Sequence, residues 1–402
     1  MKRNKPELLA PAGDFERLQM ALAYGADAVY LAGNEFGMRA FAGNFDYDEL
    51  KRAVALCGSH GVSVHVTCNA TLRNDEAARL PAFLEYLNEL GVNAAIVSDF
   101  GVFRMAQRYA PRVALHVSTQ AGVTNYEAAR AWYELGASRV ILARELSLAE
   151  LGEVRQKTPG ALELECFVHG AMCVSYAGRC LLSNYMTGRD ASRGACAQPC
   201  RYQYALVEEK RPGEFFPIQE EDGETYILNS RDLCMIDHIP SLLEIGMDSL
   251  KIEGRAKSAY YTAAVTGAYR NAIDAAEEER PLDPAWRAEV EKVSHRPYST
   301  GFFYGEAEQY TESSQYLRDW QVVAVVEECD EDGLAVCSLR NKFSAGDPLE
   351  LLTPHRSAEA FTAPMMEDIN GDSLDTPRHP RMNFKLKLPC AASPGSMLRI
   401  CR

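Results

Sequence analysis

No stretch of roughly 18 consecutive apolar residues occurs in the chain, so no membrane-spanning helix is expected. The first residues, Met1–Asp14, hold neither an apolar h-region nor a small-residue cleavage site, and no secretory signal is expected there. Basic charge is also short. With 42 Lys and Arg against 56 Asp and Glu, the net charge is −14. That balance argues against a non-specific nucleic-acid coat, while leaving room for one local basic patch. No G-x-S-x-G elbow and no H-E-x-x-H zinc helix is present, and no G-x-G-x-x-G follows the first apolar run. Hydrophobic content of 47% is ample for a sizeable core, which sets disorder aside.

What is present concentrates in Glu165–Arg201. Five of the twelve cysteines fall there, and four of them are spaced as C-x6-C-x15-C-x3-C: Cys173, Cys180, Cys196 and Cys200. Gly170, Gly178, Gly188 and Gly194 lie among them and let backbone approach a bound inorganic centre. Cys166 sits in an apolar run and reads as a core residue, while Cys234 follows in NSRDLC. With no secretory signal, a cytoplasmic chain with reduced thiols is expected, and disulfides are the weakest use of this set. Structural zinc sites favour paired tight knuckles, and only Cys196/Cys200 is tight. No histidine stands at ligand spacing. The pattern therefore leans toward an iron–sulfur cluster, with zinc and ordinary buried cysteines as the alternatives.

Elsewhere the chain repeats a helix that ends at a glycine, followed within a few residues by an apolar strand. Gly25, Gly61, Gly91, Gly136 and Gly246 mark the helix ends. Eight strands are predicted: Glu7–Ala12, Ala28–Ala32, Val62–Cys68, Ala94–Ser98, Val113–Ser118, Arg139–Ala143, Leu162–Val168 and Ser249–Glu253. Most are near-continuous apolar runs, as expected when both faces are covered. Eight such units predict an α/β fold of the (β/α)8, TIM-like barrel class. The barrel is expected over residues 1–305, with a long cysteine-rich insertion at about 171–247 after strand seven. Within it, Glu208–Glu224 reads as a solvated acidic excursion. Helices are expected at Tyr261–Glu279 and Asp283–Ser294, and His295–Tyr304 reads as a link. Short strand-like runs from about Gln321, with turns at Asp332-Gly333 and Asn370-Gly371, predict a small all-β barrel module over 306–402.

In a barrel, the strand C-termini and the loops after them form the active face. That places Arg39, Asn44, Asn69, Gln120, Arg144, Glu145, His169, Glu253 and Arg255 on one rim. The arginines suit a carboxylate or phosphate. Arg144/Glu145 and Glu253/Arg255 read equally well as ion pairs closing the rim. His65 and His116, inside strands, read as satisfied core histidines.

The run from Glu165 to Ser183 closely resembles the signature of the peptidase U32 family. LLAPAGD, RAFAGNF, NSRDLC, SLKIEGRAKS and SHRPYSTGFF are also similar to that family, so the likeness covers nearly the whole chain. The family name implies collagenase-like proteolysis; here a Cys173 or Cys180 nucleophile with His169 as base is the available arrangement. The resemblance also implies oxygen-independent hydroxylation, since members act on a tRNA wobble uridine with prephenate as hydroxyl source, on an rRNA cytidine, or on a quinone precursor. The tRNA branch is the most similar. It implies a [4Fe-4S] cluster on Cys173, Cys180, Cys196 and Cys200, with Cys234 as a substitute ligand; zinc stays the alternative metal on spacing. Rim position, rather than the resemblance, makes His169 and Glu253 the acid–base candidates and Arg39, Asn69, Gln120, Arg144, Glu145 and Arg255 the candidate substrate-binding residues. The expected partners are tRNA, through a local basic patch, and a small hydroxyl donor. Oligomeric state is left open, since some relatives work as heterodimers.

Overall fold

The computed structural model describes residues 5–38, 43–173, 175–176, 179–202, 205–206, 216–217, 230–307 and 316–402. Two compact units emerge. One comprises Met1–Phe15, Asp27–Ala256 and His295–Tyr316, and the other Glu16–Ala26, Lys257–Ser294 and Leu317–Arg402.

Strands β1 (Glu7–Pro11), β2 (Ala28–Leu31), β3 (Ser63–Cys68), β4 (Ala94–Val97), β5 (Ala114–Val117), β6 (Arg139–Ile141) and β7 (Glu163–Ala171) pair in parallel with their neighbours in sequence. In the insertion lie the short antiparallel pair β8 (Ala205–Leu206) and β9 (Phe216–Pro217), then β10 (Asp232–Cys234). Strand β11 (Ser249–Ile252) pairs in parallel with both β7 and β1, which closes an eight-stranded barrel. The expected TIM-like architecture is what forms.

Local chemistry explains the alternation. Helices α1 (Phe15–Ala23), α2 (Tyr47–Ser59), α3 (Asn74–Leu90), α4 (Phe100–Tyr109), α5 (Tyr126–Glu134) and α6 (Leu148–Lys157) follow the first six strands in order. Asp46, Asp99, Asn125 and Ser147 each accept a backbone N–H in the first turn of the helix they open. In α2 and α6 a glutamate three residues on returns the bond to the cap backbone, completing a capping box. Gly91 ends α3 at φ 74°, a left-handed conformation that costs glycine nothing. Strands β2 and β4 are buried at every position, as their unbroken apolar sequences require.

The stretch after β7 is more structured than an insertion of 171–247 implies. It contains α7 (Leu182–Thr187), β10 and α8 (Ile239–Ile245), and α8 is the helix that precedes β11. The segment at Cys234 forms a strand. Its three residues pair antiparallel with His169–Ala171, extending β7 past Val168. The His295–Tyr304 link likewise contributes β12 (Tyr298–Ser299), parallel to β10. Arg296 anchors this corner: its Nε and Nη2 donate to Asp232 at 3.0 and 2.6 Å, with both side chains buried. The acidic excursion at 208–224 lies outside the described residues apart from β9.

In the second unit, α9 (Ala259–Glu277) is buried along most of its length, and α10 (Pro284–Glu289) is shorter than the expected Asp283–Ser294. Eight antiparallel strands follow: β13 (Trp320–Cys329), β14 (Leu334–Leu339), β15 (Pro348–Leu352), β16 (Glu359–Thr362), β17 (Met366–Asp368), β18 (Ser373–Leu374), β19 (Asn383–Lys387) and β20 (Met397–Cys401). They run in the order β16-β15-β20-β13-β14-β19-β17-β18 and make a half-barrel. Val323, Val326, Cys337, Leu351, Phe384 and Leu398 are among its core residues. Arg399, fully buried on β20, donates to Glu289 at 2.7 Å, to Glu350 at 2.6 Å and to the Tyr260 hydroxyl at 2.9 Å.

Candidate active site

Below the rim, the barrel interior is charged. Arg139 on β6 donates to Glu7 at 2.5 Å, Glu163 at 2.8 Å and Glu165 at 3.0 Å. Glu165, fully buried, also accepts from Lys251 Nζ at 3.1 Å. Burial alone would raise the Glu165 carboxyl, but Lys251 and Arg139 outweigh it and hold the group below its ordinary value. His65 and His116 meet edge to face, with ring centroids 4.7 Å apart. Burial, aided by Arg139 and Lys251, pushes His65 down to about 4 against the opposing pull of Glu7. His116 is held well below its ordinary value, by burial and then by His65. Both are core residues as expected. They are not satisfied, because neither Nδ1 has a hydrogen-bond partner among the described residues.

Directly above this interior, the strand C-termini enclose a pocket with about 520 Å³ of empty space, open mouth included. Tyr30, Phe167 and Met38 supply apolar faces. Thr67, Asn69, Ser118, Thr119, Gln120, Lys251, Glu253 and Arg255 supply polar edges. Asn69 is tightly oriented: its Oδ1 accepts from Met38 N at 3.1 Å and its Nδ2 donates to Ser118 Oγ at 3.2 Å. Arg255 donates to Thr67 Oγ1 at 2.9 Å. Tyr30 donates to the Ile252 carbonyl at 3.0 Å and lies 3.4 Å from Glu253 Oε2. Lys251 Nζ stands 4.4 Å from the Tyr30 ring centroid, a cation over an aromatic face.

Of the expected rim residues, Asn69, Gln120, Glu253 and Arg255 line this pocket. Arg144 and Glu145 stand outside its lining. Arg144 donates to the Ala171 carbonyl at 2.9 Å with its guanidinium 5.3 Å from the Phe167 ring centroid. No ion pair joins Arg144 to Glu145 among the described residues; Arg144 Nε and Glu145 Oε2 are buried without hydrogen-bond partners. Asn44 is half-buried with its Oδ1 likewise unpartnered. His169 is buried on β7, outside the lining, with Nε2 3.3 Å from the Tyr298 hydroxyl. Its backbone carbonyl accepts the Glu253 N–H at 2.8 Å. Arg39 lies outside the described residues.

Sequence reading passed over Lys251, Tyr30 and Phe167. The available signal was alternation: in S-L-K-I-E, Ser249, Lys251 and Glu253 share one face, and Glu253 was already assigned to the rim.

All twelve cysteines are among the described residues and none is in a disulfide. Cys173 is exposed and Cys180, Cys196 and Cys200 are half-buried, whereas Cys166 and Cys234 are buried in strands. Cys196 Sγ accepts the Gln198 N–H at 3.3 Å, and Cys200 sits in a 3-10 turn, Pro199–Arg201. Four thiols that are exposed or half-buried are the donor chemistry a cluster needs. Among the described residues, no three His, Cys, Asp or Glu side chains stand together at metal-holding geometry. The segment is nevertheless fixed to the barrel. The Ser192 carbonyl accepts the Thr71 N–H at 3.1 Å, and Arg193 donates to Glu76 at 2.7 Å.

Comparison with known proteins matches residues 13–313 to Peptidase family U32, and residues 318–399 to the Peptidase family U32 C-terminal domain. The tRNA hydroxylation protein P1 of Bacillus subtilis (strain 168) is 38% identical, covering 98% of this chain and 94% of that protein. The tRNA hydroxylation protein P of Escherichia coli (strain K12) is 34% identical over 96% of this chain and 94% of its own length. A 23S rRNA 5-hydroxycytidine synthase of the same E. coli strain is 35% identical, over 68% of this chain and 40% of that protein. No helix among the described residues is long and apolar enough to cross a membrane. With both domain matches lying along one barrel and one half-barrel, the chain belongs to peptidase family U32.

Proposed function

We propose that this chain is an RNA-hydroxylating enzyme that converts a tRNA uridine, the wobble base at tRNA position 34, to 5-hydroxyuridine without molecular oxygen. The observation that carries the reading is the pocket at the strand C-termini, since it has the elements a base needs. Tyr30 and Phe167 offer aromatic faces, while Asn69, Gln120 and Thr67 offer donors and acceptors for a pyrimidine edge. A base buried in an RNA stack cannot reach such a pocket, so the target nucleotide is turned out of its stack to enter. The near full-length likeness to two tRNA hydroxylation proteins supports RNA as the substrate.

Prephenate, a dicarboxylate, is the proposed hydroxyl source. Lys251 and Arg255 are the cations within the pocket wall that suit a carboxylate. Glu253, beside the Tyr30 hydroxyl, is the acid–base group positioned at the pocket. His169 supports it from behind through its backbone carbonyl.

Cys173, Cys180, Cys196 and Cys200 would hold a [4Fe-4S] cluster, with zinc as the competing occupant. When bound, a cluster of this kind would supply electron-transfer chemistry. Cys200 is half-buried whereas Cys234 is buried in β10, which supports Cys200 as the fourth thiolate.

The test is mass spectrometry of tRNA nucleosides from a deletion strain complemented with wild type, Glu253→Gln or Cys173→Ala. Loss of 5-hydroxyuridine on deletion, restored by wild type and by neither variant, is expected. Unchanged tRNA together with peptide cleavage by the purified protein would overturn the reading in favour of a peptidase. Unchanged tRNA with a missing rRNA 5-hydroxycytidine or a stalled quinone precursor would move the substrate instead.

A further inference from the structure

The cysteine segment carries a second property that ligation does not need. From Cys173 to Tyr202 the sequence holds four arginines (Arg179, Arg189, Arg193 and Arg201) and one acid, Asp190, within a chain of net charge −14. The same stretch leaves large side chains in solvent: Tyr185 is 89% exposed, Leu181 76%, Tyr176 56% and Tyr202 51%. Arg179 and Arg189 are exposed beside them. Thiolate ligation uses none of these side chains, and burying them would normally stabilise the fold.

The segment also has a defined place. The Thr71 N–H donates to the Ser192 carbonyl, and Arg193 pairs with Glu76. Thr71 lies two residues after Asn69, which lines the pocket. Exposed aromatics interleaved with arginines, anchored at the edge of a base-sized pocket, match the recognition of unpaired RNA. Such RNA offers bases to stack and phosphates to pair, whereas a duplex hides its bases.

We infer that the Tyr176–Tyr202 surface is where the enzyme grips unpaired nucleotides flanking the target base, by stacking on Tyr185 and its neighbouring tyrosines and by phosphate contacts to Arg179 and Arg189. The inference rests on the RNA reading above and specifies its substrate class as a single-stranded loop. Charge complementarity selects RNA over an acidic-neutral protein surface, because this basic stretch stands out against an acidic chain.

The experiment is a fluorescence-anisotropy titration of the intact protein with a labelled RNA stem-loop, and with the same stem as a blunt duplex, across a salt series. Tyr185→Ala, Tyr185→Trp and Arg179→Ala are compared with wild type, and Tyr47→Ala, an exposed tyrosine on α2, serves as control. Wild type is expected to prefer the stem-loop. Tyr185→Ala should weaken that binding about tenfold while Tyr185→Trp retains it, as stacking requires. Arg179→Ala should lower the slope of log affinity against log salt by about one. Since Tyr185 is 89% exposed, its truncation removes little packing, and an unchanged thermal midpoint will confirm that the variant folds.

If wild type binds the stem-loop and Tyr185→Ala binds it equally well, the surface inference falls while the RNA reading stands. If Tyr185→Ala instead converts a wild-type dimer to monomer without weakening RNA binding, the surface joins two copies and the inference is likewise overturned. If wild type binds neither RNA, both fall together.

Discussion

Gly170 and Glu253 stand closer than any residue with a side chain would permit. A Cβ on Gly170 would lie 2.3 Å from the Glu253 backbone oxygen, and Gly170 adopts φ 112°. The neighbouring His169 carbonyl holds the Glu253 N–H at 2.8 Å. Strand β7 thus sets the position of the pocket carboxylate through backbone alone. Gly170→Ala should destabilise the protein by about 1–3 kcal/mol. It should also lower tRNA hydroxylation more than Ala171→Ser does; thermal unfolding and nucleoside analysis read the two effects separately.

Lys251→Met would leave Glu165, fully buried, with Arg139 as its remaining charged partner. Removing one member of a buried pair typically costs about 3–5 kcal/mol, and neutralising both costs less. Lys251→Met/Glu165→Gln should therefore be more stable than Lys251→Met alone. Denaturant midpoints for the wild type, both single variants and the double variant give the coupling, whose absence would show that the pair is not linked.

The pH dependence has a definite sign. His65 is held down to about 4 in the fold, against about 6.5 for an unfolded imidazole. Below about 6.5 the unfolded chain takes up a proton that the folded chain refuses, so stability falls with pH until about 4. His116, also held well below its ordinary value, acts in the same direction. Above this window neither histidine contributes a slope. Glu165, held below its ordinary value, adds a loss of stability only at lower pH. Denaturation midpoints measured from neutral pH to about 4 should fall in wild type and fall less in His65→Gln/His116→Gln.

The cysteines divide into two groups with opposite expected responses. Cys173→Ala and Cys196→Ala should remove iron and the visible absorption of anaerobically purified protein with little loss of thermal stability. Cys166→Ala, buried in β7, should leave iron in place and lower the unfolding midpoint. Metal analysis with thermal scans on the same samples checks both. Zinc without iron in anaerobic wild type would rule out the cluster.

The barrel was legible because each of its devices is local. Helix-ending glycines, polar caps and unbroken apolar runs such as Ala94–Val97 lie within a few residues of the structure they specify. What stayed hidden depends on distant partners. Asp232–Cys234 is only three residues long and becomes a strand by pairing with His169–Ala171. Lys251 could be placed on a strand from sequence, but its choice of Glu165 and of the pocket floor follows from barrel closure. Asn69, Gln120, Glu253 and Arg255 were readable as rim residues because strand ends are readable. Arg144 and Glu145 follow a strand too, yet they sit beyond the pocket lining, and no local pattern distinguishes the two cases.

The strand order of the half-barrel bears on how the protein is made. Strand β20 is translated after every other strand of its sheet, yet it sits between β15 and β13 in the middle of the order. The same unit also includes Glu16–Ala26, translated some 300 residues earlier. On a ribosome, those early residues must wait until Leu317–Arg402 has been made before their own unit can assemble. Contacts so far apart in sequence slow folding. A chain released before β20 is made would have its barrel strands complete and an interior strand missing from the sheet of its second unit.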